Sequence, residues 1–192
     1  TWQMLLAAGW EGDRRLRLLC GGEELPRLLA EALLAGGAEL WNLYGPTETT
    51  IWSSVLRVQS GAGPVPIGPP IDNTWFALLD ARLRPVPRGA PGELFIGGAG
   101  VALGYLDRPE LTAERFLDSP WPDRLPGRVY RTGDLVRLDA RGQLAFLGRG
   151  DTQVKLRGFR IELGEIESAL AEQPGVLQAA AVVHGAAPDE RR

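Results

Sequence analysis

The chain has 192 residues, of which 44% are hydrophobic and 23% are charged, as is typical of a globular protein. Its formal net charge of -3 offers no basic field to a nucleic-acid backbone. No apolar run approaches the roughly 18 residues of a membrane-spanning helix. The single cysteine, Cys20, excludes an internal disulfide and a thiolate metal cluster, and we interpret it as a buried small hydrophobe in a reducing cytoplasm.

Residues 1–59 alternate between helical and strand patterns and predict the end of an α/β core. Apolar residues at helical spacing predict helices over residues 2–10 and 24–34. Short apolar runs predict strands over residues 16–20 and 39–43. The second of these strands is followed by Gly45-Pro46, which forces a turn.

Residues 60–148 are rich in proline, glycine and short strand patterns, and they predict a small β barrel or sandwich. The glycine cluster over residues 97–104 lacks the spacing of a dinucleotide-binding fingerprint, and we interpret it as a place of close backbone packing. One helix is predicted over residues 109–117, where Pro109 suits a first turn. The predicted strands, separated by turn signals, cover residues 75–79, 93–96, 129–131, 135–138 and 144–147.

A composition break at residues 148–151 predicts a third section, the start of an α+β unit. Its predicted elements are a strand over 153–156, a helix over 163–170 and a strand over 176–183. The predicted organisation is therefore an α/β core at 1–59, a β-rich part at 60–148, a hinge approach at 149–150 and an α+β lid at 151–192.

Four segments carry polar residues in patterns that suit a nucleotide site. The first places an aromatic ring, a hydroxyl and a carboxylate around a tight turn, which provide a surface for a base, a phosphate donor and an anion for Mg²⁺. An ordinary polar loop is the alternative there, and a turn-forming aspartate is the alternative for Asp134. The segments are NLYGPTE (42–48), GEL to GY (92–105), YRTGDL (130–135) and GRGDTQVKLRGFRIE (148–162).

In this order and spacing, the segments resemble the later core motifs of the adenylate-forming superfamily. Their amino-acid sequences are more similar to those of adenylation domains of nonribosomal peptide synthetases than to those of acyl-CoA synthetases or luciferases. The resemblance implies an incomplete adenylate-forming fold, from mid-domain to the start of the C-terminal subdomain. It implies a parent ligase that uses ATP to form an aminoacyl-AMP and passes the aminoacyl group to a carrier-protein phosphopantetheine, alongside condensation domains.

The resemblance also implies roles for individual residues. It makes Thr47 and Glu48 the catalytic candidates, with Thr47 at a phosphate and Glu48 as the Mg²⁺ ligand. Asp134 is expected to accept hydrogen bonds from both ribose hydroxyls. The nucleotide-binding set is Asn42 and Tyr44 at adenine, Gly45, Thr47, Asp134, Arg149 and Lys155.

Two further features follow from the same resemblance. Asp151 matches the hinge about which the C-terminal subdomain rotates, carrying Lys155, Arg157 and Gly158 towards the site. We expect a pocket for a small amino acid, with glycine as the first choice of substrate and alanine or cysteine as alternatives. Its lining contains a tryptophan and three branched aliphatic side chains, which leave little room, and none of them is charged. The pocket residues are Leu19, Gly21, Leu43, Ile51 and Trp52.

The resemblance further implies parts outside this stretch: a phosphate loop and an ammonium-binding aspartate before Thr1, and a second catalytic lysine after Arg192. We therefore expect little adenylating activity from these residues alone, because charge developing at the α-phosphate would lack its main cation. Two alternatives remain, a noncatalytic nucleotide-binding or interaction module of the same fold, and an acyl-CoA synthetase-like ligase.

Overall fold

The computed structural model describes residues 1–156 and 159–184. The chain forms two compact units, Thr1–Gly148 and Arg149–Arg192. None of the helices in the described ranges combines the length and the apolar character that crossing a bilayer requires.

Helices and strands alternate in the first part of the chain, and strands dominate the middle. The described helices are α1 (Trp2–Ala7), α2 (Arg27–Ala35), α3 (Pro109–Arg115) and α4 (Leu163–Ala171), with a 3₁₀ turn at Thr47–Thr49. The strands are β1 (Arg17–Cys20), β2 (Glu39–Tyr44), β3 (Ser54–Arg57), β4 (Thr74–Leu79), β5 (Pro91–Gly98), β6 (Phe116–Asp118), β7 (Arg128–Leu138), β8 (Leu144–Arg149), β9 (Gln153–Leu156) and β10 (Phe159–Glu162).

The first sheet has the order β1-β2-β3, with β1 parallel and β3 antiparallel to β2. Its core forms because alternate residues of β1 point inward and Ala30 and Leu33, three apart on α2, share one helix face. Leu18, Leu33 and Leu40 are at most 1% exposed there. Cys20 belongs to this core, and burial raises the pKa of its thiol to about 11, so the thiol packs as a small hydrophobe.

The second sheet has the order β4-β5-β7-β6, and β8 also pairs with β7. It is covered by apolar side chains on both faces, since Leu94 and Ile96 belong to one core cluster and Phe95 to another. Among the described residues, β4 pairs only with β5, so the sheet is open. The mixed α/β class is confirmed, whereas the predicted barrel is an open sheet, because closure requires the outer strands to bond to each other.

The glycine cluster lies where β5 ends, and close packing is confirmed there. A Cβ on Gly97 would overlap the indole of Trp75, and one on Gly98 would overlap the carbonyl of Asn73. Gly98 also has φ 119°, which side chains rarely adopt.

The second unit contains an antiparallel β9–β10 hairpin, with Val154 opposite Ile161, followed by α4. The predicted strand over 176–183 is wrong, because a strand needs a partner and this segment has none within the described residues. The amide of Ala181 instead donates to Glu167 Oε1 on α4 (2.9 Å). The predicted positions of Arg157 and Gly158 lie outside the described residues.

Strands β3, β6 and β10 were not predicted, and the helix predicted to reach residue 117 ends at Arg115. Phe116 leaves the helix because it pairs with Tyr130 in the second sheet. The segments predicted as two strands at 129–131 and 135–138 are a single strand, β7.

We expect Gly98→Ala to destabilise the protein by about 2–3 kcal/mol, because the added methyl meets backbone and the positive φ is strained. Gly61→Ala is the matched control, since a Cβ there has no heavy atom within 4 Å, and it should change stability by no more than about 0.5 kcal/mol. Urea unfolding of the two variants and the original protein measures both effects. Equal stability of the variants would contradict the packing assignment.

Candidate functional site

Tyr44 and Asp134, which lie 90 positions apart, meet between the two sheets of the first unit. The Tyr44 hydroxyl donates to Asp134 Oδ2 at 2.5 Å. Tyr44 ends β2, and Asp134 lies within β7, where it is 3% exposed. The first and third sequence segments therefore form one site.

A bulge in β7 presents the Asp134 carboxylate. The register of β5 and β7 pairs Phe95 with Arg131 and then Glu93 with Leu135, so residues 132–134 oppose Leu94. Gly133 has φ 75°, a left-handed conformation that glycine adopts easily. Such bulges re-aim side chains from a strand.

Polar side chains hold the bulge in place. Arg131 donates to both carboxylate oxygens of Glu93, from Nε to Oε1 at 2.9 Å and to Oε2 at 3.1 Å, and from Nη2 to Oε2 at 3.0 Å. The amide of Gly133 donates to Glu93 Oε1 at 3.1 Å. The Thr132 hydroxyl donates to the carbonyl of Leu94 at 2.7 Å and accepts the amide of Asp134 at 2.9 Å. The backbone around Asp134 is thereby fixed.

Glu48 is a buried carboxylate held by two tyrosines. It lies in the 3₁₀ turn and is 6% exposed. Its Oε1 accepts hydrogen bonds from the hydroxyls of Tyr105 at 2.6 Å and Tyr130 at 2.9 Å. Burial, and then the hydrogen bond to Glu48, raise the pKa of Tyr105 well above its ordinary value. The Tyr105 phenol consequently stays protonated and donates to the carboxylate.

Tyr105 and Tyr130 were not predicted as site residues, although they lie within the segments 92–105 and 130–135. Tyr105 and Tyr130 are 57 and 82 positions from Glu48, so no local pattern links them to it. The same is true of Glu93, which lies 38 positions before Arg131. The one indication in the sequence that these residues belong to the site is that all of them lie within the motif segments.

The remaining residues of the first motif have distinct positions. Asn42 is 7% exposed, and its Nδ2 donates to the carbonyl of Pro66 at 2.8 Å, which ties it into the core. Gly45 packs against backbone, since a Cβ would lie 2.5 Å from the carbonyl oxygen of Ile51 and 2.7 Å from the amide nitrogen of Ser53. Thr47 is exposed at the start of the turn.

The described residues offer few ligands for a metal ion at this place. Within residues 1–156 and 159–184, no group of three or more His, Cys, Asp or Glu side chains is placed to hold an ion. One carboxylate, that of Glu48, fits the usual binding of Mg²⁺, in which substrate phosphates and water supply most of the ligands.

Three of the predicted pocket residues lie together. A Cβ on Gly21 would be 2.5 Å from Cη2 and Cζ3 of the Trp52 indole and 3.0 Å from the carbonyl oxygen of Leu43. The Trp52 ring therefore occupies the space that any larger residue at position 21 would need. Leu19 and Ile51 are 59% and 57% exposed.

The predicted hinge and its neighbours belong to the second unit. Arg149 donates to both carboxylate oxygens of Asp151, each at 2.7 Å, and the amide of Gln153 donates to Asp151 Oδ1 at 3.2 Å. Lys155 lies in β9, opposite Arg160.

We expect the stability of the protein to fall with rising pH above the ordinary tyrosine pKa of 10.0, because Tyr105 keeps its proton when folded and loses it when unfolded. The contribution is fully present below that pH. Tyr105→Phe should abolish it, which removes up to about 1.4 kcal/mol per pH unit from the slope. The free energy of unfolding in urea, measured across this pH range, tests the difference. Identical slopes for the variant and the original protein would refute it.

Comparison with known proteins places this geometry in a family. The family model described as AMP-binding enzyme matches residues 1–106. The chain is 50% identical over its full length to a dimodular nonribosomal peptide synthase of Bacillus subtilis (strain 168), and 51% identical over 92% of its length to malpinin synthetase of Mortierella alpina. It spans only 8% and 2% of those relatives.

Solved structures agree with this placement. A four-domain nonribosomal peptide synthetase bound to AMP and glycine matches 99% of this chain with 48% identity and a TM-score of 0.73, although the chain covers 14% of it. A nonribosomal peptide synthetase protein with adenylation and PCP domains, bound to a vinylsulfonamide inhibitor, matches 95% with 33% identity and a TM-score of 0.80, and the chain covers 36% of it. The chain belongs to the AMP-binding enzyme family, as a segment of an adenylation domain of the nonribosomal peptide synthetase type.

Proposed function

We propose that the protein carrying this chain is an ATP-dependent, AMP-forming ligase that activates an amino acid for nonribosomal peptide synthesis. In this proposal, the chain contributes the adenine, ribose and Mg²⁺ side of the active site. The observation that carries it is the hydrogen bond between Tyr44 and Asp134, which joins two motif segments at one place.

The adenine and ribose of the nucleotide would bind beside Tyr44 and Asp134. The Tyr44 ring offers a flat surface to adenine, and the Asp134 carboxylate, presented by the bulge, is a two-oxygen acceptor suited to adjacent ribose hydroxyls. Asn42 is proposed to contact adenine, with Gly45 keeping the turn closed. The burial of Asp134 favours this use, since a desolvated carboxylate discriminates strongly for a ligand that donates to it.

The phosphates would lie near the 3₁₀ turn. Thr47 is exposed there, and its hydroxyl is the proposed hydrogen-bond donor to a phosphate. Glu48 is held in place by Tyr105 and Tyr130. Glu48 would hold Mg²⁺, which would neutralise part of the negative charge of the phosphates. Thr47 and Glu48 are therefore the proposed catalytic residues of this chain.

The proposed reaction has two steps. A carboxylate oxygen of the amino acid attacks the α-phosphorus of ATP, and the bond from that phosphorus to the pyrophosphate oxygen breaks. The sulfur of a carrier-protein phosphopantetheine then attacks the acyl carbon, and AMP leaves. The similar protein with adenylation and PCP domains supports a carrier partner, and condensation domains of the same synthetase complete the proposed set.

The second unit is proposed to act between those steps. Asp151 is the proposed hinge, and its paired hydrogen bonds from Arg149 would fix the local backbone in the described conformation. Arg149 and Lys155 are proposed nucleotide contacts.

Glycine is the proposed substrate. The indole of Trp52 fills the space above Gly21, and the lining residues Leu19, Leu43 and Ile51 carry no charge. The similar synthetase bound to AMP and glycine supports the same choice, with alanine or cysteine as the alternatives.

Amino-acid-dependent exchange of pyrophosphate into ATP, catalysed by the full-length protein, tests the reaction. We expect exchange with glycine, and Asp134→Asn should lower kcat/KM for ATP by about 10- to 100-fold, because a hydrogen bond to a charged group is lost. Asp123→Asn, at an exposed position between β6 and β7, should leave it unchanged. Nucleotide binding without exchange would indicate the noncatalytic alternative, and exchange driven by fatty or aryl acids would indicate the acyl-CoA synthetase-like one.

Selectivity provides a separate prediction. Trp52→Leu should raise kcat/KM for alanine relative to glycine by roughly tenfold, because the smaller side chain leaves room for a methyl group. The same exchange assay with both amino acids measures the ratio, and KM for ATP serves as the internal control. An unchanged ratio would remove Trp52 from the pocket.

A further inference from the structure

The turn that leads to Trp52 has an unusual backbone. Thr50 and Ile51, both β-branched, have φ values of 62° and 71°. A β-branched residue in the left-handed region is a genuine outlier, and two in succession persist only where the surroundings hold them. The conformation of residues 50–52 therefore depends on specific contacts.

Part of the support comes from the turn itself and the strand before it. The amide of Ser53 donates to the carbonyl of Tyr44 at 2.8 Å, and the hydroxyls of Thr49 and Ser53 are 2.6 Å apart. These bonds fix the residues on either side of the strained pair. The amide of Thr50 also donates to the carbonyl of Thr47 at 3.1 Å, and the amide of Trp52 donates to the carbonyl of Thr50 at 2.9 Å. None of these bonds involves the side chain of Thr50.

A second segment supplies such a contact. The Thr50 hydroxyl donates to the carbonyl of Gly100 at 2.8 Å. Gly100 belongs to the connection between β5 and α3, residues 99–108, which we term the glycine connection.

The glycine connection is packed tightly on this turn. Its Ala102 amide donates to the carbonyl of Glu48 at 2.9 Å. A Cβ on Gly100 would lie 3.0 Å from the carbonyl oxygen of Thr49, which is closer than an ordinary van der Waals contact. The two backbones therefore lie too close together to accommodate a side chain at position 100 without a shift. The acceptor of the Thr50 hydroxyl is thereby held in a fixed position.

The strained turn sets the direction in which the next side chain leaves the backbone. The Trp52 indole lies against Gly21, with no space for a Cβ between them. A change in φ at Thr50 or Ile51 would move the indole relative to Gly21.

We propose that Thr50 is a positioning residue for the amino-acid pocket, because its hydrogen bond to Gly100 holds the strained turn that orients Ile51 and Trp52. This inference rests on the proposed function and adds a residue to its substrate site. The hydroxyl of Thr50 bonds to the backbone of the glycine connection. Thr50 is not among the proposed nucleotide contacts, which are Asn42, Tyr44, Gly45, Thr47, Asp134, Arg149 and Lys155. The effect should therefore fall on the amino acid and not on ATP.

The experiment compares two substitutions at one position in the full-length protein. Thr50→Val keeps the shape and the branched Cβ but loses the hydroxyl, and Thr50→Ser keeps the hydroxyl. Thr74→Val, which removes a threonine hydroxyl from β4, is the matched control. Pyrophosphate exchange gives KM for glycine, KM for ATP and the preference for glycine over alanine.

We expect Thr50→Val to raise KM for glycine roughly fivefold, the size of one ordinary hydrogen bond, and to lower the preference for glycine over alanine. KM for ATP should stay the same, Thr50→Ser should restore the original values, and Thr74→Val should match the original protein. Unchanged glycine kinetics, an equal rise in both KM values, or failure of Thr50→Ser to restore them would overturn the proposal.

Hydrogen exchange of the backbone gives a readout that does not need activity. Thr50→Val should speed exchange of the Trp52 and Ser53 amides, which donate to Thr50 and Tyr44 carbonyls, by roughly fivefold relative to Thr50→Ser. Equal exchange in the two variants would overturn the positioning role. If the original protein exchanges no pyrophosphate, the proposed function fails, and hydrogen exchange alone decides the role of Thr50.

Discussion

The candidate site depends on the hydrogen bond from the Tyr44 hydroxyl to Asp134, which links the sheet of β1–β3 to that of β4–β8. Asp134 can be an acceptor at that point only because three residues of β7 oppose the single residue Leu94. Glu93 stabilises the bulge through Arg131 and the amide of Gly133. The contact between Tyr44 and Asp134 is therefore accompanied by an irregular strand, a glycine with positive φ and an ion pair that joins β7 to β5.

The two buried carboxyl groups of the site, those of Glu48 and Asp134, accept hydrogen bonds from tyrosine side chains. Removing a carboxylate from water is costly unless hydrogen bonds compensate. The described donors to Glu48 and Asp134 include the phenols of Tyr44, Tyr105 and Tyr130, which are neutral. These phenols offset part of the cost of burying the two carboxyl groups and bring no positive charge of their own.

Regular periodicity was sufficient to predict α1, α2, β1, β2, β4 and β5, because each contributes to a core cluster or packs against one. It also predicted α4, although no residue of that helix is buried. The bulge could not be predicted, since Thr132-Gly133-Asp134 has the composition of a turn and only the register with β5 keeps it within a strand. The motif segments indicated Tyr44, Glu48 and Asp134. Tyr105 and Tyr130, which bond to Glu48, and Glu93, which holds the bulge, are brought in by long-range packing that spacing along the chain does not encode.

The contacts between the turn at 47–52 and the glycine connection have a consequence for chimeric proteins. Thr50 and Glu48 bond to Gly100 and Ala102, and Tyr105 bonds back to Glu48, so the two segments were fitted to each other. A crossover point placed between residues 52 and 99 would combine a turn from one parent with a supporting loop from another. Grafts that carry residues 42–105 as a single block would preserve every one of these contacts.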